Sequence, residues 1–444
     1  MSLNISFLNL NDKKRIKKNI YGNGFNFLLT ILSQLFFIPI MLLSWGVTQT
    51  GYWIFLIAIP SMLSFWKLDF SEASRQELTL NKKKNPNVIY SISLIFTLLT
   101  VVIFGIIYFF INLNFLENFE VIKNHNITNL NIILILIFYG FSLELITNNH
   151  LILTQYKGKT YISEIIAGLY ITLEKILIPL IGFVTIDLLY AAIVYSIIKT
   201  IKFITVKFII NLSVNFKLNF FKITKKEIAN IFIKSKNIYY YNISNIINVS
   251  GFTYFIAYFF SPEIITLVNA LQTMFKFVVF RINRVFVDVF TFEFSNFYSQ
   301  KKYSNIINAY NFQKKNMYMF LLSFLIVGYF IGPYIFNYWT MDKFTEFRSI
   351  IVLVILECIF TMLSYNELLV GFALNKLKKI TFYGLVINIL FIGCLLFFEN
   401  LRLNISNIYY ILILKSFFIY LMNRNYNLKL INNVLLKKYD GKKI

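Results

Sequence analysis

The sequence predicts an all-α polytopic membrane protein with about 12 transmembrane helices in two six-helix bundles. Apolar content, the lengths of the apolar runs and the placement of the basic residues carry that expectation. Of 444 residues, 58% are hydrophobic and 14% charged, and the mean hydropathy is +0.66. Soluble domains run at roughly 45–50% apolar and about 25% charged, which excludes a soluble multidomain enzyme. Disorder is excluded too, because 50 Phe and 29 Tyr supply ample surface to bury.

Crossing about 30 Å of hydrocarbon takes about 20 residues of helix. Runs of that kind cover 20–44, 50–66, 88–111, 130–152, 161–184, 187–209, 238–260, 263–286, 316–336, 349–372, 380–398 and 403–423. They define an N-terminal lobe (1–209), a linker rich in Lys, Asn and Phe (210–236), a C-terminal lobe (237–423) and a basic tail (424–444). Pro39, Pro60, Pro179 and Pro333 predict kinks within or at the ends of spans, the last beside Gly328 and Gly332. An even number of spans per lobe brings both lobes in from the same side. The two are therefore expected to be related by a pseudo-two-fold axis along the membrane normal. Asn19-Ile20-Tyr21 opens the first span and Asn237-Ile238-Tyr239 the seventh, a local likeness that agrees with such a repeat.

The net charge of +23 is explained by topology. With the N-terminus in the cytoplasm, inner segments hold Lys13 to Lys18, Lys82 to Lys84, the basic residues from Lys199 to Lys236, Lys314, Lys315 and the tail. The outer loops hold only Lys123, Lys343, Arg348 and Arg402, while Lys175, Lys276 and Lys415 lie within spans. This positive-inside bias predicts that both termini are cytoplasmic. It also removes the case for nucleic acid, which would need one clustered basic face.

Catalysis and metal chemistry find no motif. Cys358 and Cys394 sit in apolar runs, and His125 and His150 are isolated. Gly158-Lys159-Thr160 lacks the upstream glycine of a P-loop. The sequence thus predicts no catalytic residue, no metal and no cofactor.

Polar groups at membrane depth are the remaining candidates, because they are expensive there and usually face the bundle interior. At 100° per residue, Asn269, Gln272, Lys276 and Asn283 share one sector of the eighth span, with Arg281 and Arg284 on the adjacent one. Lys276 lies roughly 14 Å from the cytoplasmic end, beyond easy snorkelling. It either faces an anionic headgroup or pairs with a carboxylate such as Glu144 or Glu357. Asn23 and Asn26 on the first span, and Tyr241, Asn245 and Asn248 on the seventh, form comparable stripes. Glu144, Glu164, Glu357 and Lys175 are candidates for proton or sodium coupling, against the plainer reading of interhelical hydrogen bonds.

With these features in place, the chain resembles the polysaccharide (O-antigen, Wzx-type) flippases of the MOP superfamily, which also contains the MATE exporters and the lipid II flippases. The resemblance covers nearly the whole chain. It is carried by Pro39 through Trp45-Gly46-Val47 to Leu68-Asp69-Phe70-Ser71, by Val268 to Ile306, and by Leu369 to Asn388. The first stretch is similar to one in which the second span ends in an Asp-x-Gly turn; here Ser71 replaces the glycine.

The resemblance implies a MATE-like fold in the bacterial cytoplasmic (inner) membrane. It implies translocation of an undecaprenyl-diphosphate-linked oligosaccharide to the periplasmic leaflet by alternating access, beside the glycan assembly machinery and with possible H+ or Na+ coupling. Lys276, Arg284 and the Asn-rich stripes would hold the headgroup, with Asp69 and Arg75 at the cytoplasmic mouth. Two alternatives stand beside it. A MATE-like multidrug or cation antiporter calls for acidic cavities, whereas the eighth-span stripe is basic. A membrane-embedded polysaccharide polymerase or ligase calls for a large outer loop, and the longest here, about 112–129, is short.

Overall fold

A chain in hydrocarbon has no water to satisfy its amides, so each apolar run closes its own hydrogen bonds as helix, whatever the propensity of its β-branched and aromatic residues. The computed structural model of the protein follows that rule. It describes residues 10–432 except 64–69, 72, 75–84, 111–118, 124–128, 157–158, 215–222, 284–289, 291–293, 295–296, 299, 301, 374–377 and 398–403. Among the described residues there is no strand.

The main helices are α1 (Leu10–Ser44), α2 (Gly46–Leu63), α3 (Pro86–Phe110), α4 (Leu130–Tyr156), α5 (Thr160–Ile181) and α6 (Leu188–Val214). They continue with α7 (Lys225–Ile246), α8 (Pro262–Leu271), α9 (Tyr303–Phe330), α10 (Arg348–Glu367), α11 (Lys378–Phe397) and α12 (Ile405–Leu430). Each predicted run overlaps one of them, and the runs 238–260, 263–286, 316–336 and 349–372 extend beyond α7, α8, α9 and α10 into further helical segments. Several helices outrun the apolar stretch: α9 starts at Tyr303 rather than 316, and α12 continues to Leu430 rather than 423. Helical pairing continues past the hydrocarbon because nothing in those flanks breaks it. Among the described residues, six helices are long and apolar enough to cross a membrane, or seven if a bent pair counts as one span. Among the others, α2 has only 18 residues, and α5 carries Glu164, Glu174 and Lys175 in its run.

The stretch expected to be a linker is helical at both ends. α6 runs to Val214 and α7 begins at Lys225. Thr224 starts α7 with a capping box: its hydroxyl accepts from the Glu227 amide at 3.3 Å, and the Glu227 carboxylate accepts from the Thr224 amide at 3.1 Å. By contact the chain divides into two compact units, Met1–Thr266 and Leu267–Ile444. The division falls inside the eighth span, and so differs from the expected lobe boundary at 236.

In the first unit α1 lies along α5 and α4 along α6. Tyr90, Leu151, Ile166 and Val206 join α3, α4, α5 and α6 in one buried cluster. Gly46, at φ +74°, makes the one-residue turn from α1 to α2 possible. A Cβ at Gly182 would stand 1.5 Å from Cδ1 of Trp45, so the end of α5 closes on α1 through a glycine. In the second unit α10 lies along α12 and also packs on α9. Val279, Met317, Leu321, Cys358 and Met362 form its buried seam.

Two local departures matter for the site. α7 continues through a π-helical stretch, Ile247–Gly251, into Phe252–Phe259, and α8 continues through another, Gln272–Phe277. Each π turn holds more residues than an α turn and so rotates the helix beyond it. Pro39, Pro60 and Pro179 are accommodated inside helices. At Gly332 and Pro333 the chain bends by 62° between α9 and the short helix Gly332–Trp339.

Candidate functional site

Within the spans of the first unit, charges gather where α4, α5 and α6 meet. Lys199 donates to Glu174 at 2.7 Å and to Glu144 at 3.2 Å, and Lys202 donates to the other oxygen of Glu144 at 2.6 Å. Lys199 is only 9% exposed and Lys202 only 3%. Gly140 lets α6 approach: a Cβ there would meet the Tyr195 ring at 2.5 Å and Lys199 at 3.3 Å. Lys175 lies 3.9 Å from the centroid of the Phe37 ring and forms no ion pair among the described residues. It is close enough to Glu174 and Lys199 to feel both charges. Three lysines thus share two carboxylates.

The second unit holds a smaller charged cluster. Lys276, inside the π stretch, donates to Glu357 at 2.9 Å. The same carboxylate oxygen accepts from Thr361 at 3.0 Å and Ser416 at 3.3 Å. Lys415, beside Ser416, interacts electrostatically with both Lys276 and Glu357. Glu357 thus stands within electrostatic reach of two lysines. The Cys358 thiol donates to the Phe275 carbonyl at 3.2 Å, so α10 is tied to the π stretch on two adjacent residues.

Of its two readings Lys276 takes the pairing with a carboxylate, Glu357, and the π turn re-aims it relative to the stripe that regular 100° steps imply. The stripe on α1 is a packing seam with α5. Asn19 accepts from the Tyr161 amide at 3.1 Å, Asn26 donates to Glu164 at 2.6 Å, and Gly168 leaves room for Asn26. Asn23 alone of that pair with Asn26 is exposed. Lys199 and Lys202, counted with the cytoplasmic residues, lie inside α6 and are paired there. Their place within the apolar run 187–209 was the available signal.

The other candidates fall in several places. Asn269, Gln272 and Asn248 are half-buried. Arg281 lies 5.2 Å from the Phe277 ring centroid. Arg284, Asp69 and Arg75 lie outside the described residues, as do the side chains of Tyr241 and Asn245. Among the described residues no three His, Cys, Asp or Glu side chains come together as a metal site.

No protein-family model matches the sequence, and no curated protein does. Solved structures match over almost the whole chain. An inward-facing multidrug resistance MATE family transporter of the MOP superfamily aligns at a TM-score of 0.63 and 11% identity, over 92% of this chain and 95% of that one. A MOP superfamily transporter from Pyrococcus furiosus, described as having a binding pocket of reverse polarity that suggests a different function, aligns at 0.63 and 11%, over 93% and 95%. A mutant of the Vibrio cholerae MATE transporter VcmN aligns at 0.65 and 12%, over 95% and 98%. At such identities the likeness concerns architecture, and the architecture is clear: this is a multi-pass membrane protein with the two-lobed helical fold of the MATE transporters of the MOP superfamily.

Proposed function

We propose that the protein is a flippase of the bacterial cytoplasmic membrane that moves an undecaprenyl-diphosphate-linked oligosaccharide from the cytoplasmic to the periplasmic leaflet by alternating access. The observation that supports this is the charged cluster of the first unit, in which Lys175, Lys199 and Lys202 meet two carboxylates, together with the pairing of Lys276 with Glu357 in the second. An uncompensated charge at bilayer depth costs several kcal/mol, so a diphosphate needs cationic partners on its way across. The Lys276 side chain is 27% exposed and that of Glu357 4%. Lys276 can therefore exchange Glu357 for a phosphate while Lys415 keeps the buried carboxylate compensated. Both termini lie in the cytoplasm on this reading, and the glycan assembly machinery supplies and receives the substrate. For H+ or Na+ coupling Glu164 is the strongest candidate. Among the described residues Asn26 is its partner, whereas Glu144 and Glu357 are each neutralised by lysine.

The fold likeness favours a second reading, a MATE-like multidrug or cation antiporter. Surplus lysine repels a cationic drug, and the Pyrococcus furiosus protein indicates that pocket polarity varies on this fold. The test is reconstitution in vesicles with a fluorescent isoprenoid-diphosphate oligosaccharide. Wild type should move it between leaflets at least about tenfold faster than empty vesicles, and Lys276→Met should lose most of that gain with insertion unchanged. A rate equal to that of empty vesicles overturns the proposal; uptake of a fluorescent organic cation instead establishes the antiporter.

A further inference from the structure

One cluster of the second unit takes no part in that reading. It lies where α9, α10 and α12 meet, at the end carrying Lys314, Lys315, Arg424 and Lys429. Glu367 is only 5% exposed. One of its oxygens, Oε2, accepts from the Tyr310 hydroxyl at 2.6 Å and from the Asn427 amide at 2.8 Å. The other, Oε1, accepts no hydrogen bond among the described residues. It faces the Lys314 ammonium at 3.7 Å, beyond hydrogen-bond reach. That ammonium is also 5.8 Å from the ring centroids of both Tyr310 and Tyr318. Two phenol faces and a carboxylate around one nitrogen form a cage for an organic ammonium, held here by a tethered one at loose distances.

The cleft beside it is lined by Tyr310, Lys314, Tyr318 and Glu367 and encloses about 10 Å3. A primary ammonium can donate a hydrogen bond to the open Oε1 acceptor, which a trimethylated one cannot. At its rim the Tyr318 and Tyr420 hydroxyls are 3.4 Å apart, and Arg424 comes one helical turn after Tyr420. The site thus offers one acid at its floor and two bases at its edge, the charge pattern of an ammonium joined to a phosphate.

We propose that this cleft binds the headgroup of an aminophospholipid of the surrounding bilayer. The primary ammonium takes the place of Lys314 against Oε1 of Glu367, and the phosphodiester is held by the released Lys314 and by Arg424. Glu367 faces the Lys314 ammonium before the exchange and the lipid ammonium after it, so occupancy does not leave the carboxylate bare. This depends only on the membrane fold and stands apart from the identity of the transported substrate.

The test uses the full chain in detergent, titrated with phosphatidylethanolamine, phosphatidylcholine, phosphatidylglycerol and soluble phosphoethanolamine. Retained lipid is read by native mass spectrometry. Phosphatidylethanolamine should bind at least about tenfold more tightly than phosphatidylcholine. Glu367→Gln, which keeps an acceptor for Tyr310 and Asn427, should abolish the preference, and so should Tyr318→Leu at the exposed rim. Equal retention of the two lipids, a stronger hold on phosphatidylglycerol, or an undiminished preference in both variants overturns the proposal. Soluble phosphoethanolamine binding as tightly as the lipid overturns its assignment to the bilayer.

Discussion

Glu144 serves two lysines at once, through one oxygen each, and Glu174 forms one ion pair among the described residues, with Lys199. Removing one partner from a buried pair costs about 3–5 kcal/mol, because the other charge stays buried. Glu144→Gln strips Lys202 of its carboxylate and should lower the thermal unfolding temperature in detergent markedly. Glu174→Gln leaves Lys199 with Glu144 and should cost clearly less; equal losses would show that the cluster does not act as described. At this scale the sequence is only partly readable. That charged residues sit in spans is plain from position, and the pairing of Lys276 with Glu357 was one of two open alternatives. The choice depends on two residues 81 positions apart in the chain and on a π turn that no side-chain pattern announces. Lys199 and Lys202 were visible inside an apolar run, yet a topological tally absorbed them as cytoplasmic.

Helix ends and close approaches decide the elements. Thr224→Ala removes the hydroxyl that accepts from the Glu227 amide, worth about 1 kcal/mol, and leaves the backbone amide of residue 224 still donating to the Glu227 carboxylate. Amide exchange at Glu227 and Ile228 should quicken severalfold while the core of α7 is unchanged. Gly182→Ala drives a methyl into the Trp45 indole, and overpacking of this kind costs about 1–3 kcal/mol. Unfolding temperature should fall, and Trp45→Leu in the same chain should recover part of the loss. The existence of each helix was readable because hydrocarbon length demands about 20 apolar residues. Their true ends were not, since Tyr303 to Asn316 and Lys225 to Asn237 carry no breaker to stop a helix begun in the membrane. The asparagines of α1 repeat at helical spacing, and spacing alone cannot tell a wall of open space from a seam against α5.

For the molecule as a whole, the two-lobed helical architecture was readable from run count and charge bias, because both stem from the cost of exposing amides and cations to oil. The position of the division inside the eighth span was not, since it reflects packing rather than composition. If Glu164 carries the coupling ion, Glu164→Gln should leave substrate binding intact and make transport in vesicles indifferent to an imposed proton or sodium gradient. Full gradient dependence in that variant would move coupling elsewhere. The surplus residue held in Gln272–Phe277 has a mechanical corollary. Like a ruck in a carpet, it can travel along the rod without the rod being unwound, and each step turns the side chains it passes by about 100°. The amine at position 276 sits on that ruck, so a slide of one turn would swing it off its acid and back again.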